Sequence, residues 1–210
     1  EMCIRDSNKP AGLAVHGGSG LKWGVIEAYR HFRTDIHYLE LVHRLDRETS
    51  GCLLLAKKSS VLKTLQALWQ QQKVQKIYWA IGEHTWQGKP QQTVTAPLLK
   101  NILKSGERMV VISQQGKPAI SHIHLVKNHP QLCWLKVSIE TGRTHQIRVH
   151  CAYIGHAVLG DKKYGKSQVH ESAPRLFLHA QKIKFEYNGQ MRSFEAPVDP
   201  VFAKQLADFT

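Results

Sequence analysis

The sequence predicts an α+β domain on a central mixed, mostly antiparallel sheet flanked by helices. Two observations carry that reading. Short runs with an apolar period of two recur through the chain, and helical runs with apolar residues three and four apart fall among them. The two kinds of run do not alternate regularly, which argues against a doubly wound parallel sheet. A third observation is local. Asn188-Gly189 joins "KIKFEY" (182–187) to "QMRSFEA" (190–196), the strongest hairpin signal in the chain.

The elements follow in order. The first seven residues, "EMCIRDS", match neither a strand nor a helix, and "NKPAGLAVHGGSG" (8–20) reads as a loop punctuated by Pro and Gly. "WGVIEAYRHF" (23–32) has helical spacing, with Val25, Ile26, Tyr29 and Phe32 on one side. "CLLLAK" (52–57) is apolar enough for a buried strand. Ser59 or Ser60 then caps a helix carrying Val61, Leu62, Leu65, Leu68 and Trp69. Strands are expected at 76–83, 108–113, 119–127 and 132–140. In the last, Cys133, Leu135, Val137 and Ile139 form an apolar face. "HQIRVHCAYIG" (145–155) reads as a helix with Ile147, Cys151 and Ile154 on one face and Gly155 as its stop. No internal repeat or low-complexity tract is present.

Composition narrows the function classes. The 210 residues suit one domain, and 42% hydrophobic content excludes a disordered class. Lys plus Arg number 29 against 16 Asp plus Glu, a formal charge of +13, which points to a polyanionic partner and favours nucleic acid over membrane. No apolar run reaches the ~18–20 residues of a membrane span. Cys3, Cys52, Cys133 and Cys151 form no CxxC pair, so neither a disulfide framework nor a thiolate zinc site is expected. Thirteen histidines without HExxH spacing give no metal motif, and no metal or cofactor is expected. With no secretory signal legible, a cytoplasmic protein is expected.

Two clusters can carry chemistry. In "HRLDRETSG" (43–51), Asp46 lies between Arg44 and Arg47 at the mouth of the apolar run. Neighbouring guanidinium groups favour an ionised carboxylate, a poor general base but a usable nucleophile or stabiliser of a developing cation. The bland alternative is a surface acid in a charge cluster, and local sequence alone favours it slightly. In "TGRTHQIRVH" (141–150), a polar loop feeds a helix beginning beside Arg143 and His145, with Arg148 one turn in and able to meet an acid. Its alternative is a capped helix with solvated arginines. Tyr78 and Trp79 offer a stacking surface for a base. As strand neighbours they point opposite ways, so at most one faces a cleft.

"HRLDRETSG", "KIYWA", "TGRTHQIRVH" and "RLFLHA", in this order, resemble the ribosomal large-subunit RNA pseudouridine synthases of the RluA/RluC/RluD family. "NKPAGLAVHGGSG", "APLLKN", "SGERMVVIS" and "GKPA" are similar to its C-type branch. HRLD-x-x-TSG is highly specific, whereas "LHA" or "GD..YG" alone is weak. The resemblance implies the pseudouridine synthase fold with a catalytic cleft, no cofactor, and 23S ribosomal RNA as partner for a monomer without a membrane role. It also implies roles. Asp46 is the catalytic carboxylate, Tyr78 packs on the target base, and Arg148 pairs with the catalytic aspartate. Arg44 enters the RNA as the uridine flips out, and Arg143 and His145 line the RNA-facing side. Leu178 lies beneath the base, with Leu176 the lesser choice.

C-type relatives usually carry an N-terminal S4-like RNA-binding domain and a strand leading into "NKP". Neither is expected in this chain: the catalytic domain is expected over 8–210, with residues 1–7 non-native or disordered. Three other readings stand beside a 23S synthase. One is an inactive RNA-binding module of the same fold, and another is a synthase acting on transfer RNA. The third is a nucleoside or glycoside hydrolase, which needs a second carboxylate from Glu48, Glu140 or Asp161.

Overall fold

The computed structural model describes residues 4–18, 23–102, 108–165 and 172–209. The chain expected as one domain over 8–210 divides into two compact units, Glu1–Gln75 with His179–Val198, and Lys76–Leu178 with Asp199–Thr210. The fold is α+β with mixed, mostly antiparallel strands, as the sequence predicts.

The first unit is organised by β3 (Ser50–Ala56), which is buried at every position. A fully buried Leu contributes roughly 1.5–3 kcal/mol over an exposed one. Leu53, Leu54 and Leu55 in sequence therefore commit this run to the interior. β1 (Ile4–Lys9) pairs with β3 antiparallel, from Ile4 opposite Ala56 to Lys9 opposite Gly51. This corrects the reading of an irregular start and of a missing strand into "NKP"; residues 1–3 lie outside the described residues. β2 (Glu40–Leu41) pairs with β3, and β10 (Leu178–Tyr187) joins it in parallel at His179 and Ala180. β11 (Gln190–Glu195) closes the expected hairpin, with Asn188 and Gly189 at φ 52 and 71 in its turn.

Two helices accompany these strands. α1 (Val25–Phe32) buries Val25 and Ile26. Phe32 departs from the expected apolar side: it is 79% exposed at the helix's last position, edge-on to His31. α2 (Ser59–Gln70) buries Val61 and Leu65, but its cap is Lys58, because Ser59 is already helical.

The second unit is an antiparallel ladder. β4 (Gln75–Glu83) pairs with β9 (Leu132–Ile139), β9 with β8 (Ile120–Asn128), and β8 with β5 (Gln91–Thr95). The alternation of β9 holds as predicted: Cys133, Leu135, Val137 and Ile139 are buried. They form one core with Ile147 and Cys151 of α3 (Gln146–Tyr153). A separate ribbon pairs β6 (Leu98–Ile102) with β7 (Arg108–Ile112). α4 (Pro200–Ala207) starts at Asp199, whose carboxylate accepts the Phe202 N–H at 3.0 Å, with Pro200 in the first turn. That cap was legible in "DP" and was missed.

Gly51 has φ +114, and a Cβ there would collide with the Ala180 backbone of β10. Gly51→Ala is expected to lower unfolding free energy by about 3–5 kcal/mol. A denaturant titration reading a loss under about 1 kcal/mol would contradict the close approach.

Candidate active site

The Asp46 turn grows out of β3. Thr49 donates its N–H to the Asp46 carbonyl at 3.1 Å, and Thr49 and Ser50 are buried. Leu45 is also buried, while Arg44 and Arg47 lie exposed and Asp46 is half-buried. Arg47 directs Nε to Glu48 at 2.8 Å.

Lys9, at the end of β1, is fully buried. Its Nζ donates to the carbonyls of Pro10 (2.9 Å), Leu13 (2.7 Å) and Arg47 (2.9 Å). The Gly12 N–H donates to the same Arg47 carbonyl at 2.9 Å. A buried ammonium is tolerable only when its donors are met, and three carbonyls match its three N–H groups. The carbonyl directly after Asp46 is therefore gripped by two donors. Behind the turn, Ser50 Oγ lies 2.8 Å from His179 Nδ1, and His179 Nε2 lies 2.9 Å from the Ala196 carbonyl. A carbonyl only accepts, so Nε2 carries the proton and the Ser50 hydroxyl donates to Nδ1.

In the second unit, Tyr78 of β4 is half-buried against the core. Trp79 faces away from it and meets Trp134 edge-on at 5.3 Å between ring centroids. Arg148 of α3 is buried and forms a two-pronged bond with fully buried Asp161, Nε to Oδ2 and Nη2 to Oδ1, both at 2.7 Å. This pair uses two of the five N–H groups of a guanidinium. Asp161 Oδ1 also accepts the N–H groups of Lys163 (3.0 Å) and Tyr164 (3.2 Å). The Tyr164 ring lies 5.1 Å from the guanidinium carbon.

His145 caps α3 in a left-handed conformation, φ 54, and its Nδ1 lies 2.7 Å from the Tyr164 hydroxyl. Arg143 is exposed, with Nε donating to the Pro118 carbonyl at 3.0 Å. Leu178 and Leu176 are both buried in the core of this unit.

The loop bearing Arg143 is held by Gln146, whose amide is fully used. Oε1 accepts from Thr141 Oγ1 (2.7 Å) and the Arg143 N–H (3.1 Å), while Nε2 donates to the Ile120 carbonyl (2.9 Å) and Ser121 Oγ (3.0 Å). Ser121 Oγ continues to His150 Nδ1 at 2.9 Å, and His150 Nε2 reaches the Ala96 carbonyl at 3.0 Å. Sequence reasoning passed over Lys9, Gln146 and Tyr164, although each stands inside a quoted motif.

The arrangement bears on the other readings. Glu48 bonds Arg47, Glu140 Oε1 lies 2.7 Å from His122 Nε2, and Asp161 is neutralised by Arg148, so each candidate second carboxylate is engaged. Burial pushes the Cys52 and Cys133 thiols up to about 12, which removes them as nucleophiles at neutral pH.

Comparison with known proteins places the chain in a family. The family model described as RNA pseudouridylate synthase matches residues 7–153. The chain belongs to that family. It is 48% identical to the ribosomal large subunit pseudouridine synthase C of Pasteurella multocida over 98% of this chain and 65% of that protein. It is 47% identical to the protein of the same name from Escherichia coli K12 over 91% of this chain and 63% of that one. The chain thus spans just under two thirds of the length of these curated relatives. Two solved human structures share the fold. RNA Pseudouridylate Synthase Domain Containing 1 has a TM-score of 0.81 at 21% identity, covering 100% of this chain and 85% of that one. Domain Containing 4 has 0.81 at 23%, covering 98% and 89%.

Two tests address the supports of the site. Lys9→Met removes a donor from the Pro10, Leu13 and Arg47 carbonyls, the last keeping the Gly12 N–H, and is expected to lower stability by about 2–3 kcal/mol, read from a denaturant midpoint. A midpoint unchanged from the parent would show that the clamp holds nothing. Burial, the larger effect, holds the His150 imidazole below its ordinary 6.5, partly opposed by its bond to Ala96. The unfolded chain then binds that proton more tightly, so the His150 contribution is present above about pH 6.5 and is lost as pH falls through the lowered value. Urea midpoints should drop on that acid side, and His150→Asn should remove this component; a parallel drop in both proteins would assign it elsewhere.

Proposed function

We propose that this protein isomerises uridine to pseudouridine in 23S ribosomal RNA, acting as a monomer in the cytoplasm. The observation that carries this reading is the Asp46 turn: a half-buried carboxylate on a backbone pinned by Lys9 and Gly12, in a chain of this family. The names of the relatives at 47–48% identity support the large-subunit substrate.

In this reaction the bond from uracil N1 to ribose C1′ breaks, the base turns, and C5 bonds to C1′. The C5 proton then leaves and N1 takes one up, so atoms and charge balance. Asp46 acts on the ribose, adding to C1′ or removing the C2′ proton; either route needs an ionised, well-oriented carboxylate. Tyr78 packs against the extruded base. Arg148, oriented by Asp161, supplies positive charge to the reacting centre, and Leu178 sits beneath the base. Arg44, Arg143 and His145 contact the RNA. Extruding a base costs a few kcal/mol, which cationic contacts to phosphates offset.

Purified protein incubated with a 23S ribosomal RNA transcript should form pseudouridine, located by sequencing after chemical labelling. Asp46→Asn should reduce formation by more than about 1,000-fold while RNA binding persists. Full activity in Asp46→Asn sinks the assignment of the carboxylate. Free uracil in place of pseudouridine means a hydrolase, and modification confined to transfer RNA overturns the substrate.

A further inference from the structure

We infer that Gln146 is a positioning residue for RNA binding: it clamps the backbone of Arg143 so that the guanidinium, anchored at Nε, presents its two Nη groups to the oxygens of a phosphate. The identity of the ligand rests on the proposed function; the clamp does not. The orientation of the Gln146 amide follows from its partners. The Arg143 backbone N–H can only donate, so the atom it meets at 3.1 Å is the oxygen. The Ile120 carbonyl can only accept, so the atom it meets at 2.9 Å is the nitrogen. Turning the amide over would break both bonds. The Gln146 main-chain N–H also donates to the Arg143 carbonyl at 3.1 Å. One buried residue therefore holds both backbone polar groups of Arg143.

Gln146 is 3% exposed, whereas Gly142, Arg143 and Thr144 are all exposed. Burial does not order these three; bonds from the interior do. Thr141 adds a tie, accepting the Ile120 N–H at 3.1 Å and donating to Gln146 Oε1 at 2.7 Å. At the far end of the arginine, Nε donates to the Pro118 carbonyl at 3.0 Å and is the one guanidinium nitrogen engaged among the described residues. The Nη1–Nη2 edge matches two phosphate oxygens. An arginine held at its backbone and at Nε has little rotamer freedom left to lose on binding. The +13 charge and the family favour phosphate as the ligand.

None of the readouts that test this needs turnover. In the parent protein the Arg143 amide proton should exchange slowly, although its residue is exposed. Arg143→Ala should make the plot of log affinity for a 23S ribosomal RNA transcript against log salt shallower by about 0.7–0.9, one phosphate contact. Gln146→Met should weaken binding about 3- to 10-fold, the scale of one polar contact. In an Arg143→Ala background the same change should cost less than about twofold, because Gln146 acts through Arg143. Ser121→Ala is the control for structural damage. It cuts the link from Gln146 to His150 and spares the bonds to Arg143, so it should lower the denaturant midpoint and leave affinity within about twofold of the parent.

A rapidly exchanging Arg143 amide overturns the proposal, as does a salt slope unchanged in Arg143→Ala. Neither measurement uses a Gln146 variant, so both decide the matter even where Gln146→Met does not fold. Equal losses in the two backgrounds, an equal loss in Ser121→Ala, or a parent protein that does not bind the transcript also overturn it. Pseudouridine formation, measured separately on the parent, decides the proposed function independently of these results.

Discussion

The buried pair between Arg148 and Asp161 is the constraint around which the second unit is arranged. Neither partner is tolerable alone in an interior: an isolated buried charge costs several kcal/mol, and removing one member strands the other. The pair therefore ties the first turn of α3 to residues 161–164. The residues just before that segment are fastened to β4, where Glu83 donates its N–H to the Ala157 carbonyl at 2.9 Å and Leu159 donates to Ile81 at 2.8 Å. β4 also carries Tyr78. A buried ion pair of this kind is weak evidence for stability. Here it fixes an orientation, since a two-pronged carboxylate leaves the guanidinium plane little freedom.

The first unit solves a similar problem with backbone. For the proposed reaction Asp46 has to be held still, yet it sits in a turn, the most mobile kind of element. The solution is to bind the neighbouring carbonyl rather than the carboxylate, through a lysine whose charge is spent on three peptide oxygens. The buried serine and histidine behind the turn add a second attachment, from Ser50 to the Ala196 carbonyl. A chain Ser121–His150–Ala96 repeats that chemistry in the second unit. Both chains are internal struts, since each imidazole has both nitrogens occupied.

What the sequence revealed follows from what each element depends on. The face of β9, the Asn188-Gly189 turn and the apolar run of β3 were legible because period, turn chemistry and hydrophobicity are local properties. β1 was not. "IRDSNK" is polar, and its strand state comes from backbone bonds to Leu53–Ala56 some fifty residues away, which leave no trace in its own composition. The short polar β5 and the two-residue β2 escaped for the same reason. Among site residues, Asp46 and Arg148 stood out because unusual charge placement is visible in a string of letters. Lys9 and Gln146 did not, because a buried polar side chain meeting backbone atoms looks like any surface residue until its partners are known.

The grip of Lys9 has a consequence for how the molecule breathes. Because its ammonium reaches from the end of β1 to the carbonyl after Asp46, peeling that strand from β3 also releases the turn. Partial openings of a fold need less free energy than complete unfolding. The Asp46 turn is therefore coupled to the fraying of a strand, and its ordering can vanish in an opening confined to that edge of the first unit. Heat would then disorder the turn before it melts the protein.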